Sequence, residues 1–98
     1  MKIEKKIEGS VMTVALCGSL DTMTSPQLAG ELHELDGITD MRFDLANLTY
    51  VSSAGLRVFL LVYDSIRKQG GTITVVGANE DVRRIFNLVG FARFITFA

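Results

Sequence analysis

Apolar positions along the chain alternate between a period of two and a period near 3.6, and these switches divide it into elements. Residues 2–7 place Ile3 and Ile7 among lysines and glutamates, as an edge strand would. After a turn at Glu8-Gly9-Ser10, the β-branched and apolar run Val11 to Cys17 predicts a second strand, closed by Gly18 and paired with the first as an antiparallel hairpin. Pro26 sits well at a first helical position with Ser25 or Thr24 as its cap, and Leu28, Leu32 and Leu35 recur at helical spacing up to the stop signal Gly37. Met41 to Leu45 predicts a third strand, with Asn47 to Tyr50 as the loop leaving it.

A long helical pattern then runs from Ser52-Ser53-Ala54-Gly55 to Gln69-Gly70-Gly71. Thr72 to Val76 is a nearly continuous β-branched run, which predicts a central strand with both faces covered. Asn79 can cap a further helix with Val82, Ile85, Phe86 and Val89 as its apolar stripe, ended by Gly90, and Phe91 to Phe97 supplies a last short strand. The order β-β-α-β-α-β-α-β predicts an α/β domain over residues 1–98. Its mixed sheet should have four or five strands, with right-handed crossovers and the helices beginning near Pro26 and Ser53 together on one face.

Composition narrows the functions open to such a domain. The formal charge is −1 and no run of five like charges occurs, so the basic stripe that nucleic-acid binding needs is missing. No apolar stretch approaches the ~20 residues needed to cross a bilayer, and the N-terminal residues lack the apolar core of a signal peptide; these features point to the cytoplasm and away from membranes. The single cysteine, Cys17, has no disulfide partner and reads as a buried strand position. His33, alone among polar neighbours, reads as an exposed or satisfied residue. One histidine and one cysteine at unrelated positions fall short of the three or four ligands of a zinc site, so no metal or other cofactor is expected. No Walker-type loop and no nucleophile–histidine–acid set is present, which argues against an enzyme. Asp21 and Asp44 remain as candidates for paired carboxylates or magnesium ligands, although such aspartates more often cap, turn or assist another group.

The informative segment is Asn47-Leu48-Thr49-Tyr50-Val51-Ser52-Ser53-Ala54-Gly55-Leu56-Arg57, which sets two hydroxyls and a glycine at a helix start beyond a strand. Unpaired backbone N–H groups and the positive end of the helix dipole favour a phosphoryl group there, while a serine in this place also serves simply as an N-cap. The helix that follows carries Leu56, Phe59, Leu60, Tyr63 and Ile66 on one face. Val58, Leu61 and Val62 lie on other sides, so its first two turns are apolar nearly all round, and the helix is either sandwiched or leaves apolar surface for a partner.

These residues resemble the STAS domain of the bacterial anti-sigma factor antagonist type. The likeness lies in Gly18-Ser19-Leu20-Asp21, Asp44-Leu45, Tyr50 to Arg57, Gly70-Gly71, and Val82 to Phe86 with Gly90, in that order and spacing. The resemblance implies a switch in which a serine at this helix start is phosphorylated by an anti-sigma factor that is also a serine kinase, and a cognate phosphatase reverses it. The unmodified form binds the anti-sigma factor and so frees the sigma factor. Aligned on Gly55-Leu56, the phosphoacceptor falls on Ser53, with Ser52 as second choice and with Asp21, Thr24 and Gly55 beside it. Ser52, Ala54, Leu56, Arg57 and Phe59 would then meet the partner. Ser52 stands where the family often has an acidic residue, and the sequence stops at Ala98 where many members continue into a final helix. Magnesium and ATP would enter only with the kinase, and the free protein would be a monomer or weak dimer. The alternative within the same fold is a STAS-like accessory subunit of a lipid or anion transport complex, binding without phosphorylation.

Overall fold

The computed structural model describes the backbone of residues 1–98 and every side chain except that of Ala92. Five strands form one mixed sheet in the order β1-β2-β3-β4-β5: β1 Lys2–Glu8, β2 Val11–Leu20, β3 Asp40–Val51, β4 Thr72–Val76 and β5 Thr96–Phe97. The β1–β2 pair is the expected antiparallel hairpin, and the other three pairings are parallel. Helices α1 (Ser25–Glu31), α2 (Ser53–Lys68) and α3 (Glu80–Leu88) connect the parallel strands, and a single 3-10 turn, Phe91–Arg93, leads into β5.

One face of the sheet carries the core. Met12, Val14 and Leu16 of β2 and Met41, Phe43 and Leu45 of β3 are buried, while their alternates Thr13, Ala15, Arg42 and Asp44 are not. This period-two pattern is that of a sheet covered on one side. Phe59 of α2 is wedged edge-to-face between Phe43 and Phe86 of α3, with ring centroids 4.9 and 5.3 Å away, so α2 and α3 share the covered face.

Several expectations fail in the details. Cys17 falls on the uncovered face and is exposed, because it alternates with Leu16. Gly18 does not end β2: at φ +110° it sits at a register shift, and the strand continues to Leu20. The segment Asn47–Tyr50 is not a loop but the last part of β3, held by the burial of Leu48 and Val51 and by pairing with Gly18 to Leu20. The central strand is β3 rather than β4. Val75 is buried but Val76 faces solvent, since β4 is covered on one face only.

Helix α1 stops at Glu31, well short of Gly37. Leu35 stays buried, and its carbonyl accepts from Gln69 Nε2 while Gln69 Oε1 accepts from the Gly37 amide; the end of α2 thus holds the non-helical segment that follows α1. Residues 91–95 likewise form a turn before the two-residue β5.

Candidate functional site

The register of β2 and β3 aligns Leu20 with Val51, so the turn after β2 and the start of α2 emerge side by side at the carboxyl ends of these two parallel strands. The Ser52 amide donates to the Leu20 carbonyl at 2.8 Å and ties the two together.

Ser52 is the N-cap of α2. Its backbone is extended (φ −90°, ψ 173°), and its hydroxyl accepts from the Gly55 amide at 3.2 Å. Ser53, the first helical residue, is exposed and its hydroxyl makes no hydrogen bond among the described residues. Of the two hydroxyls, one is therefore committed to the helix and the other faces solvent. No acidic side chain lies in the first turn, so the positive end of the α2 dipole is uncompensated by its own helix. Gly55 is buried against the strand exits: a Cβ there would lie 2.7 Å from Leu20 Cδ2 and Cγ and 3.0 Å from Val51 Cγ2. Its missing side chain is what lets α2 begin this close to the sheet.

Asp21 organises the neighbouring turn. Its Oδ1 accepts from the amides of Met23 and Thr24, at 2.9 and 3.0 Å, and lies 3.1 Å from Thr24 Oγ1. The Thr24 hydroxyl donates to the Ser19 carbonyl at 2.7 Å and accepts from the Asp21 amide at 2.9 Å. The Thr24 amide above all, with the Met23 amide, holds the Asp21 carboxyl below the usual carboxylate range against the opposing effect of desolvation. Thr24, not Ser25, occupies the cap position of α1, and the buried Ser25 hydroxyl donates to the Asp21 carbonyl. Asp21 directly follows Leu20, whose carbonyl accepts from the Ser52 amide at the α2 start, and its carboxylate is engaged in its own turn. Asp44 is not near it. Asp44 pairs in register with Ala15, leaving a separation on the order of 20 Å along the strands, and its Oδ1 accepts from the Ala46 amide. The paired-carboxylate reading is therefore overturned. Among the described residues no group of three His, Cys, Asp or Glu side chains could hold a metal ion, and His33 is exposed with Nδ1 2.6 Å from the Gly30 carbonyl.

An apolar groove of about 300 Å³ opens directly beside Ser53, lined by Ser53, Leu56, Arg57, Leu60, Val89, Phe91 and Phe94. Leu60 is 54% exposed, Val89 57% and Phe94 52%. The apolar excess on α2 is real, but its buried stripe is Gly55, Val58, Phe59, Val62 and Ile66, so the helix is rotated from the face drawn from sequence. Phe59, expected among the partner contacts, is 3% exposed and packs in the core against Phe43 and Phe86. Leu56 and Ala54 are half-buried and Arg57 is exposed at the groove. Val89, assigned to the buried stripe of α3, and Phe94, assigned to a strand, instead complete the far wall. The excess of apolar residues over what one helix face can bury signals such a groove, but only the packing of α3 and the 3-10 turn against α2 says which residues remain outside.

The sequence pattern of the STAS domain matches residues 2–98. The anti-sigma-B factor antagonist of Bacillus subtilis is 27% identical over 96 residues, covering 97% of this chain and 88% of that protein. The Bordetella bronchiseptica protein BtrV, named as an anti-sigma factor antagonist, is 36% identical over 88 residues, covering 88% of this chain and 75% of its own. Among solved structures, the anti-sigma factor antagonist SpoIIAA in its unphosphorylated form superposes with a TM-score of 0.81 at 13% identity, over 99% of this chain and 87% of that one. The phosphorylated form of Bacillus SpoIIAA matches at 0.79 and 15%, over 99% and 91%. At such identities the structural likeness speaks for the fold, and the sequence matches carry the assignment: the chain belongs to the STAS domain family.

Proposed function

We propose that this protein is an anti-sigma factor antagonist, that Ser53 is its phosphoacceptor, and that the groove beside Ser53 receives the anti-sigma factor. The observation that supports this most is the division of labour between adjacent serines. Ser52 is spent as the cap, while Ser53 presents a hydroxyl without a hydrogen-bond partner among the described residues, at the rim of an apolar groove and at the open positive end of a helix. The names of the relatives support an anti-sigma factor as the class of partner; on the proposed reading this partner is itself a serine kinase, opposed by a phosphatase, in the cytoplasm. In the modification the Ser53 Oγ–P bond forms as the γ-phosphate bond of ATP breaks; ADP leaves and the hydroxyl proton passes to the kinase.

The phosphate adds about −1.5 to −2 charges where the helix stabilises anions by ~0.3–1 kcal/mol, so the fold tolerates it. The groove does not, because the dianion must be desolvated against the partner. A cost of about 2.7 kcal/mol there is a 100-fold loss of affinity. Phosphosite mapping and calorimetric titration with the anti-sigma kinase test the reading. Ser53→Ala should bind and no longer be switched, Ser53→Asp should bind more weakly, and Ser52→Ala should still be phosphorylated. Phosphate on Ser52, or a phosphorylated form that binds as tightly as the bare protein, overturns it. Binding to a transporter subunit with no modification favours the accessory-subunit reading instead.

A further inference from the structure

Arg57 is exposed, lines the same groove as Ser53 and makes no ion pair or hydrogen bond among the described residues. Its neighbours one turn away on α2 are Ser53, Ala54, Leu60 and Leu61, none of them acidic. By contrast Arg67 and Lys68, on the same helix, both reach Asp64, at 3.5 and 3.0 Å. A long helical side chain covers the turn N-terminal to its own Cα, so the Arg57 guanidinium projects back towards Ser53, and a negative group four residues ahead of a cation is the favourable order.

We propose that Arg57 is the receptor in cis for a phosphoryl group on Ser53: the guanidinium closes onto the phosphate across one helical turn and the pair lies over the mouth of the groove. This rests on the reading of Ser53 as phosphoacceptor and adds what the phosphate does once installed. No further covalent bond is made. A guanidinium matches phosphate oxygens with two parallel N–H donors, which a lysine cannot reproduce. The switch then removes an unpaired cation from the groove rim in the same step that adds the anion.

The test installs phosphoserine at position 53 by genetic encoding, without any kinase, and follows the secondary ionisation of the phosphate by phosphorus NMR. The wild-type background should titrate about 0.3 pH unit or more below Arg57→Gln, the size of an i,i+4 ion pair expressed as a pKa difference. Arg57→Lys should recover part of that lowering, and 1 M salt, with its Debye length of ~3 Å, should shrink it. Neither substitution should change the melting temperature of the unmodified protein. Identical phosphate titrations in wild type, Arg57→Gln and Arg57→Lys overturn the proposal. Failure of the phosphoacceptor reading shows elsewhere, as a kinase that never modifies Ser53.

Discussion

Helices α2 and α3 begin almost identically and end up with opposite electrostatics. Ser52 and Asn79 both cap from an extended backbone, and each side chain accepts from the amide three residues on, Gly55 or Val82. The first turn of α3 then supplies Glu80 and Asp81, which satisfy its own dipole, whereas α2 supplies Ser53 and Ala54 and leaves the positive end open. At the third helical position α3 has a buried valine, and α2 has a glycine pressed onto Leu20 and Val51. One helix start is finished as structure. The other is finished only as far as the cap, and its remaining charge and hydroxyl face outward beside an apolar groove.

Giving α2 the valine of α3 should have the largest effect. Gly55→Val forces a branched side chain into a fully buried Leu20 and should cost about 1–3 kcal/mol in urea unfolding, because neither Leu20 nor Val51 has room to retreat. A neutral outcome would mean that α2 does not need its close approach to the sheet. The two caps come next. Ser52→Ala and Asn79→Ala should each lose about 1 kcal/mol. Asn79→Ala should lose somewhat more, since the Asn79 amide also donates to the Leu48 carbonyl at 3.3 Å. Smallest is the charge difference itself. Glu80→Gln should destabilise by about 0.3–1 kcal/mol at low ionic strength and by less in 1 M salt; an effect independent of salt would show that the acidic turn of α3 acts through something other than the dipole.

How far the sequence discloses this contrast depends on the range of the interaction involved. The caps are legible because they act within four residues: Asn79 is read directly, and α2 is correctly started at the two adjacent serines, though which one caps is left open. The apolar excess of α2 is legible as an amount. Its direction is not, since Leu60 and Phe59 are adjacent and equally apolar, and only contact with Phe43 and Phe86 buries one and leaves the other out. The length of α1 and the continuation of β3 through Tyr50 also escape local reading, because Gln69 and the β2 register decide them from far along the chain.

By itself, then, the sequence determines the order of strands and helices, the hairpin at the start, the helix start whose first turn carries no acidic residue, and the family whose pattern it follows. Those properties rest on periodicity, turn chemistry and charge counted over a few residues. The tertiary structure decides which serine is consumed and which is free, which leucine of α2 faces water, and that Val89 and Phe94 form the far wall of the groove beside Ser53. It also separates Asp44 from Asp21 by most of a strand. Each of these is settled by packing between elements distant in sequence, where a rotation of one residue along a helix or one position along a strand moves a side chain from core to surface.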